Sequence, residues 1–81
     1  MICSVKLFAV AQQRTGQQEI NVTVEDPITV ANLIAAISVQ FPELSDVLPH
    51  CMVALNTEYA GPADAINESD EIAIIPPVSG G

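Results

Sequence analysis

Hydrophobic and polar positions alternate from Ile2 to Phe8. Cys3, Val5 and Leu7 fall on one side, and Ile2, Ser4, Lys6 and Phe8 on the other. This period of two predicts a strand whose Lys6 points away from the core. Ala9 to Thr15 reads as a short helix, which Gly16 stops as a C-terminal cap. Ile20, Val22 and Val24 then alternate with Glu19, Asn21 and Thr23, giving the cleanest strand in the chain and a partner able to pair antiparallel with the first. Asp26-Pro27 marks a turn, and Thr29 follows as a helix N-cap, with Ile28 and Leu33 placed as a hydrophobic staple. Val30, Leu33, Ile34, Ile37 and Phe41 keep helical spacing, so one stripe faces a sheet until Pro42 ends the helix. Pro42 to His50 reads as a loop, and Met52 to Leu55 as a buried strand. Asn56-Thr57-Glu58 reads as a turn, Tyr59 as the start of a brief edge strand, Asn67–Asp70 as a second turn, and Glu71 to Ile75 as the last strand.

One amphipathic helix with four or five short strands predicts an α+β domain: a sheet wrapped around one main helix. The helix covers one face of the sheet. The other face, with Lys6 and Phe8, is expected to stay open. At 49% hydrophobic residues, a chain of 81 residues carries more apolar side chains than so small an interior hides. Apolar surface for a partner is therefore expected on that open face.

Charge narrows the partners. Ten acidic residues face only Lys6 and Arg14, a net charge of −8. Nucleic acid and anionic membrane surfaces are excluded as partners, because no basic patch exists to neutralise phosphates. A basic protein partner suits the acidic body. With no long apolar run and no signal-peptide pattern, the chain reads as cytoplasmic. Cys3 and Cys51 have no metal or redox spacing and read as two buried structural thiols.

Candidate chemistry within the body is sparse. His50 has no Cys, His or Asp constellation at suitable spacing, so it reads as a loop histidine and no metal site is expected. The serines lack a nucleophile-elbow context, and Glu68, Asp70 and Glu71 read as a solvated turn. What stands out is the segment Pro76-Pro77-Val78-Ser79-Gly80-Gly81, which follows the last strand directly. Two prolines stop the strand and stiffen the exit. Extended, these six residues reach about 20 Å. The division expected is a body over 1–75 and an extended functional tail over 76–81. An enzyme that activates a terminal carboxylate must surround it closely, and a glycine has no Cβ to obstruct that approach. The Gly81 carboxylate is thus the expected working group, with Gly80 keeping the neck narrow.

The strand–strand–helix–strand order, the Phe8-Ala9 step, the run Asp70-Glu71-Ile72-Ala73 and the terminal Pro-Pro-Val-Ser-Gly-Gly together resemble the small subunit of molybdopterin synthase. The resemblance covers the whole chain, and the tail is its most specific part. It implies the β-grasp, ubiquitin-like fold. It also implies a sulfur carrier, not an enzyme on its own and binding no cofactor. A ubiquitin-activating-like adenylyltransferase would use ATP to adenylate Gly81, and a sulfur donor would convert the adenylate to a thiocarboxylate. Pro76, Pro77, Val78, Ser79 and Gly80 would insert into the large subunit, where cyclic pyranopterin monophosphate would receive the sulfur. Phe8, Ile74 and Ile75 would form the partner interface, in an assembly of two small and two large subunits. Family members often carry aromatic residues where this chain has Ile74-Ile75, and a glycine in the turn at Asn67–Asp70.

Two other readings share some of these features. A carrier for thiamine or tRNA thiolation would also end in Gly-Gly, but the Pro-Pro-Val-Ser approach and the length favour the molybdopterin branch. A ubiquitin-like protein modifier would instead be found joined to target lysines.

Overall fold

The structure is a computed structural model and describes residues 1–77. Its elements are β1 (Ile2–Leu7), α1 (Ala9–Thr15), β2 (Glu19–Thr23), α2 (Val30–Gln40), β3 (Met52–Leu55), β4 (Glu58–Ala60) and β5 (Ile72–Ile75). The five strands form one mixed sheet in the order β2-β1-β5-β3-β4. The central β1–β5 pair is parallel and the other pairs are antiparallel. This is the β-grasp arrangement, with α2 as the main helix.

Register puts the apolar side chains in phase. Leu7 pairs with Ile74 and Ile74 with Val53, while Val5 pairs with both Ile20 and Ile72. All six are buried and join Leu33 and Ile37 of α2 in one core. Among the described residues no charged or polar residue is buried. The core is therefore held by apolar burial, at about 25 cal/mol per Å² removed from water.

The cap of α2 is more complete than Thr29 alone. Thr29 Oγ1 accepts from the Asn32 N–H at 3.3 Å, as the sequence predicts. The loop before Ile66 supplies the rest: the Val30 N–H donates to the Asp64 carbonyl and the Ala31 N–H to the Pro62 carbonyl, each at 3.0 Å. Donors that a helix start leaves unpaired are thus satisfied by a distant segment, which Ile66 anchors at 5% exposure.

Three expectations need correction. The segment Pro42 to His50 is not a plain loop. It forms two single 3-10 turns, Pro42–Leu44 and Leu48–His50, which bury Leu44 and Leu48. Pro42 opens its turn and Pro49 is the second residue of its own, positions where a missing N–H costs nothing. Second, β3 is not wholly buried, since Met52 is 50% exposed. Third, only Cys3 is buried; Cys51 is half-buried, and both thiols are free. Burial raises the pKa of each. Directly after β5, Pro76 is buried and Pro77 is exposed. Val78, Ser79, Gly80 and Gly81 lie outside the described residues.

Candidate functional site: the open sheet face

The face of the sheet opposite α2 carries the outward side chains of every strand. One row crosses all five strands through the pairs Glu19–Lys6, Lys6–Ala73, Ala73–Ala54 and Ala54–Tyr59. The two alanines in its middle are short, and their larger neighbours stand around them. The result is a hollow of about 300 Å³ with Ala54 and Ala73 as floor, lined by Lys6, Phe8, Thr57, Tyr59, Glu71 and Ile75. Phe8 is 47% exposed and Tyr59 68%. Large apolar side chains left this open mark an interaction surface.

Local backbone geometry sets the rim. Phe8 follows β1 in extended conformation, and Ala9 turns the chain into α1 at φ 51°. Asn56 and Thr57 join β3 to β4 with φ values of 53° and 71°. Positive φ at both central positions is what a two-residue hairpin with the right twist requires. A β-branched Thr is an unfavourable occupant there. Asn56 also ties the hairpin to β5: its N–H donates to the Glu71 carbonyl at 2.8 Å, its Oδ1 accepts from the Glu71 N–H at 2.9 Å, and its Nδ2 donates to Asp70 at 2.8 Å. Glu71 is thereby fixed at the edge of the hollow.

The charges on this face are uneven. Lys6 and Glu71 form an ion pair, with side chains 48% and 56% exposed. The hydrogen bond between them raises the Lys6 pKa and lowers that of Glu71. Glu19, which accepts a hydrogen bond from Ser4, adds a second negative charge near Lys6. The other basic residue, Arg14, is engaged by Asp46 at 2.8 Å. Among the described residues no cluster of His, Cys, Asp and Glu is placed to hold a metal ion. No described helix is long and apolar enough to cross a membrane.

Of the three residues expected at a partner interface, the structure brings two to this face. Phe8 and Ile75 line the hollow. Ile74 does not: it is 0% exposed, between Leu7 and Val53. Neighbouring residues of a strand point to opposite faces, so both isoleucines cannot serve one surface. Ala54, Thr57, Tyr59 and Ala73 of the lining escaped the sequence reading. For Ala54 the signal was its weak alternation with Val53 and Leu55, masked because all residues of Met52–Leu55 are apolar. Ile75, which lines the hollow, is followed directly by Pro76 and Pro77, the last described residues.

Comparison with known proteins agrees with this architecture. Residues 5–81 match the ThiS family. The chain is 39% identical over 83 residues to the molybdopterin synthase sulfur carrier subunit of Chlamydomonas reinhardtii, covering all of both chains. It is 35% identical over 77 residues to the protein of that name from Arabidopsis thaliana, covering 95% of this chain and 80% of the relative. Among solved structures, SAMP1 from Haloferax volcanii superposes with a TM-score of 0.85 at 32% identity over the whole of both chains; that name denotes small archaeal modifier protein 1. With its β-grasp sheet, open apolar face and C-terminal match running to Gly81, the chain belongs to the ThiS family.

Proposed function

We propose that this protein is the sulfur-carrying small subunit of a molybdopterin synthase, acting in the cytoplasm in molybdenum cofactor biosynthesis. The observation that carries the proposal is the run Pro76-Pro77-Val78-Ser79-Gly80-Gly81 following β5 beside an open apolar sheet face. Full-length similarity to sulfur carrier subunits of that synthase supports it.

The chemistry would centre on Gly81. Held by an adenylyltransferase, its carboxylate attacks the α-phosphorus of ATP, forming the glycyl adenylate and releasing pyrophosphate. A sulfur donor displaces AMP and leaves a thiocarboxylate. A thiocarboxylate is ionised at neutral pH and needs no local base. With the tail in the large subunit, the sulfur passes to cyclic pyranopterin monophosphate, and water restores the carboxylate. The dithiolene of molybdopterin holds two sulfurs, so the carrier is released and recharged. Phe8 and Ile75 form the docking face, in an assembly of two small and two large subunits. The carrier holds no cofactor, since the partner enzyme consumes the ATP.

The direct test is the intact mass of the protein after incubation with the adenylyltransferase, ATP and a sulfur source. A gain equal to the difference between one sulfur and one oxygen, mapped to Gly81, supports the reading, and an unchanged carboxylate overturns it. Deleting Gly81 abolishes transfer and leaves the body folded. Phe8→Asp weakens large-subunit binding without unfolding the protein. The similarity to SAMP1 favours one second reading, a protein modifier. In that case Gly81 would be recovered in isopeptide linkage to lysines of other proteins.

A further inference from the structure

We propose that the hollow on the sheet face is a subsite for one cationic side chain of the docking partner, an arginine, with Glu71 as its counter-charge. This rests on the reading that the face docks the large subunit. Three observations carry it. First, the charges do not balance: Lys6 stands between Glu71, which it bonds, and Glu19. A partner that covered the face with apolar atoms alone would bury a net negative charge, which is unfavourable because an unmatched ion loses its hydration. A partner that brings one positive charge removes that cost. Second, the position of Glu71 is fixed in advance. Its backbone N–H and carbonyl are both held by Asn56, at 2.9 and 2.8 Å. Lys6 engages only Oε1, and a carboxylate has about four acceptor positions on its two oxygens. Third, the cavity has suitable size and walls. About 300 Å³ lies over a floor of two alanines, with Phe8 and Tyr59 at the sides. A guanidinium is planar, stacks on aromatic rings and forms paired hydrogen bonds to a carboxylate.

This arrangement also serves discrimination. An apolar surface lacking the cation leaves Glu71 buried without sufficient compensation, so wrong partners are rejected at the step of desolvation. Lys6 then acts as a placeholder. It neutralises part of the charge while the face is free, and its role shrinks when the arginine arrives.

The test is the affinity of the full chain for the large subunit, measured by calorimetry at several salt concentrations. Glu71→Gln is expected to weaken binding by at least about tenfold and to flatten the salt dependence. Lys6→Met is expected to leave binding within about threefold of the parent or to tighten it, because the competing cation is gone. The surface control Asp46→Asn changes neither. Circular dichroism confirms that each variant is folded. Equal losses in the two single variants, restored in the double variant, would show a self-contained ion pair and overturn the subsite. So would an unchanged affinity in Glu71→Gln while the parent binds. No binding by the parent chain overturns the docking reading itself, and the subsite with it.

Discussion

Ile74 and Ile75 are adjacent, chemically identical and on opposite faces of β5, which makes them a stringent test of the register. Ile74 is 0% exposed and pairs with Leu7 on one side and Val53 on the other. Truncating such a residue to alanine removes three carbons from a closed core and costs about 2–5 kcal/mol, including the cavity left behind. A chain of 81 residues is stabilised in total by about 4–12 kcal/mol, so Ile74→Ala removes a large fraction. Taking about 3 kcal/mol as the central value, the melting temperature falls by roughly 12–24 °C. Ile75 is half-buried on the open face beside the hollow, and Ile75→Ala costs about 1 kcal/mol. Urea unfolding followed by circular dichroism measures both, and an unchanged slope shows that the midpoint shift is a change in stability. Binding to the large subunit then runs the other way: Ile75→Ala weakens it, while Ile74→Ala, where still folded, does not. Equal destabilisation by the two variants would refute the assigned register.

The hairpin turn gives a prediction of opposite sign. Thr57→Gly places glycine at φ 71° and raises stability by up to about 1 kcal/mol in the same urea assay, relief of αL strain exceeding the entropic cost of glycine. Gln40 bonds the outward N–H and carbonyl of Thr23 on edge strand β2, at 3.1 and 2.8 Å; Gln40→Ala is expected to cost about 1 kcal/mol and to promote edge pairing, seen as dimer on analytical ultracentrifugation. The pKa values of Asp46, Asp70 and Glu71 are lowered by hydrogen bonds, chiefly from Arg14, the Asn67 N–H and Lys6 respectively. Their contribution is therefore complete above the ordinary values of 3.8 and 4.5 and is lost as pH falls through the lower folded values. The raised pKa of Lys6 acts at the other end, its contribution complete below 10.5 and lost at higher pH. Acid titration of the urea midpoint should show a smaller drop in Asp70→Asn than in the parent. Burial raises the pKa of both thiols above the ordinary value, so alkylation followed by mass spectrometry should be slow, with half-buried Cys51 modified before Cys3.

Much of the architecture was written in local pattern. The alternation of β1 and β2, the apolar stripe of α2, its Thr29 cap and the Gly16 stop depend on residues within a few positions of one another, and all appear in the structure. The open face could be inferred because Lys6 and Phe8 share one side of β1. Long-range pairing decided the rest. Ile72-Ala73-Ile74-Ile75 contains no polar residue to set its phase. Only its pairing with β1 and β3 places Ile74 in the core and half-buried Ile75 on the open face. The loop that caps α2 comes from residues far along the chain, and nothing periodic announces it. The hollow exists because two alanines from different strands meet side by side between Lys6 and Tyr59. Periodicity is a property of one segment, whereas a cavity and its counter-charge are made by several, so the fold could be inferred along the chain and the site only across the sheet.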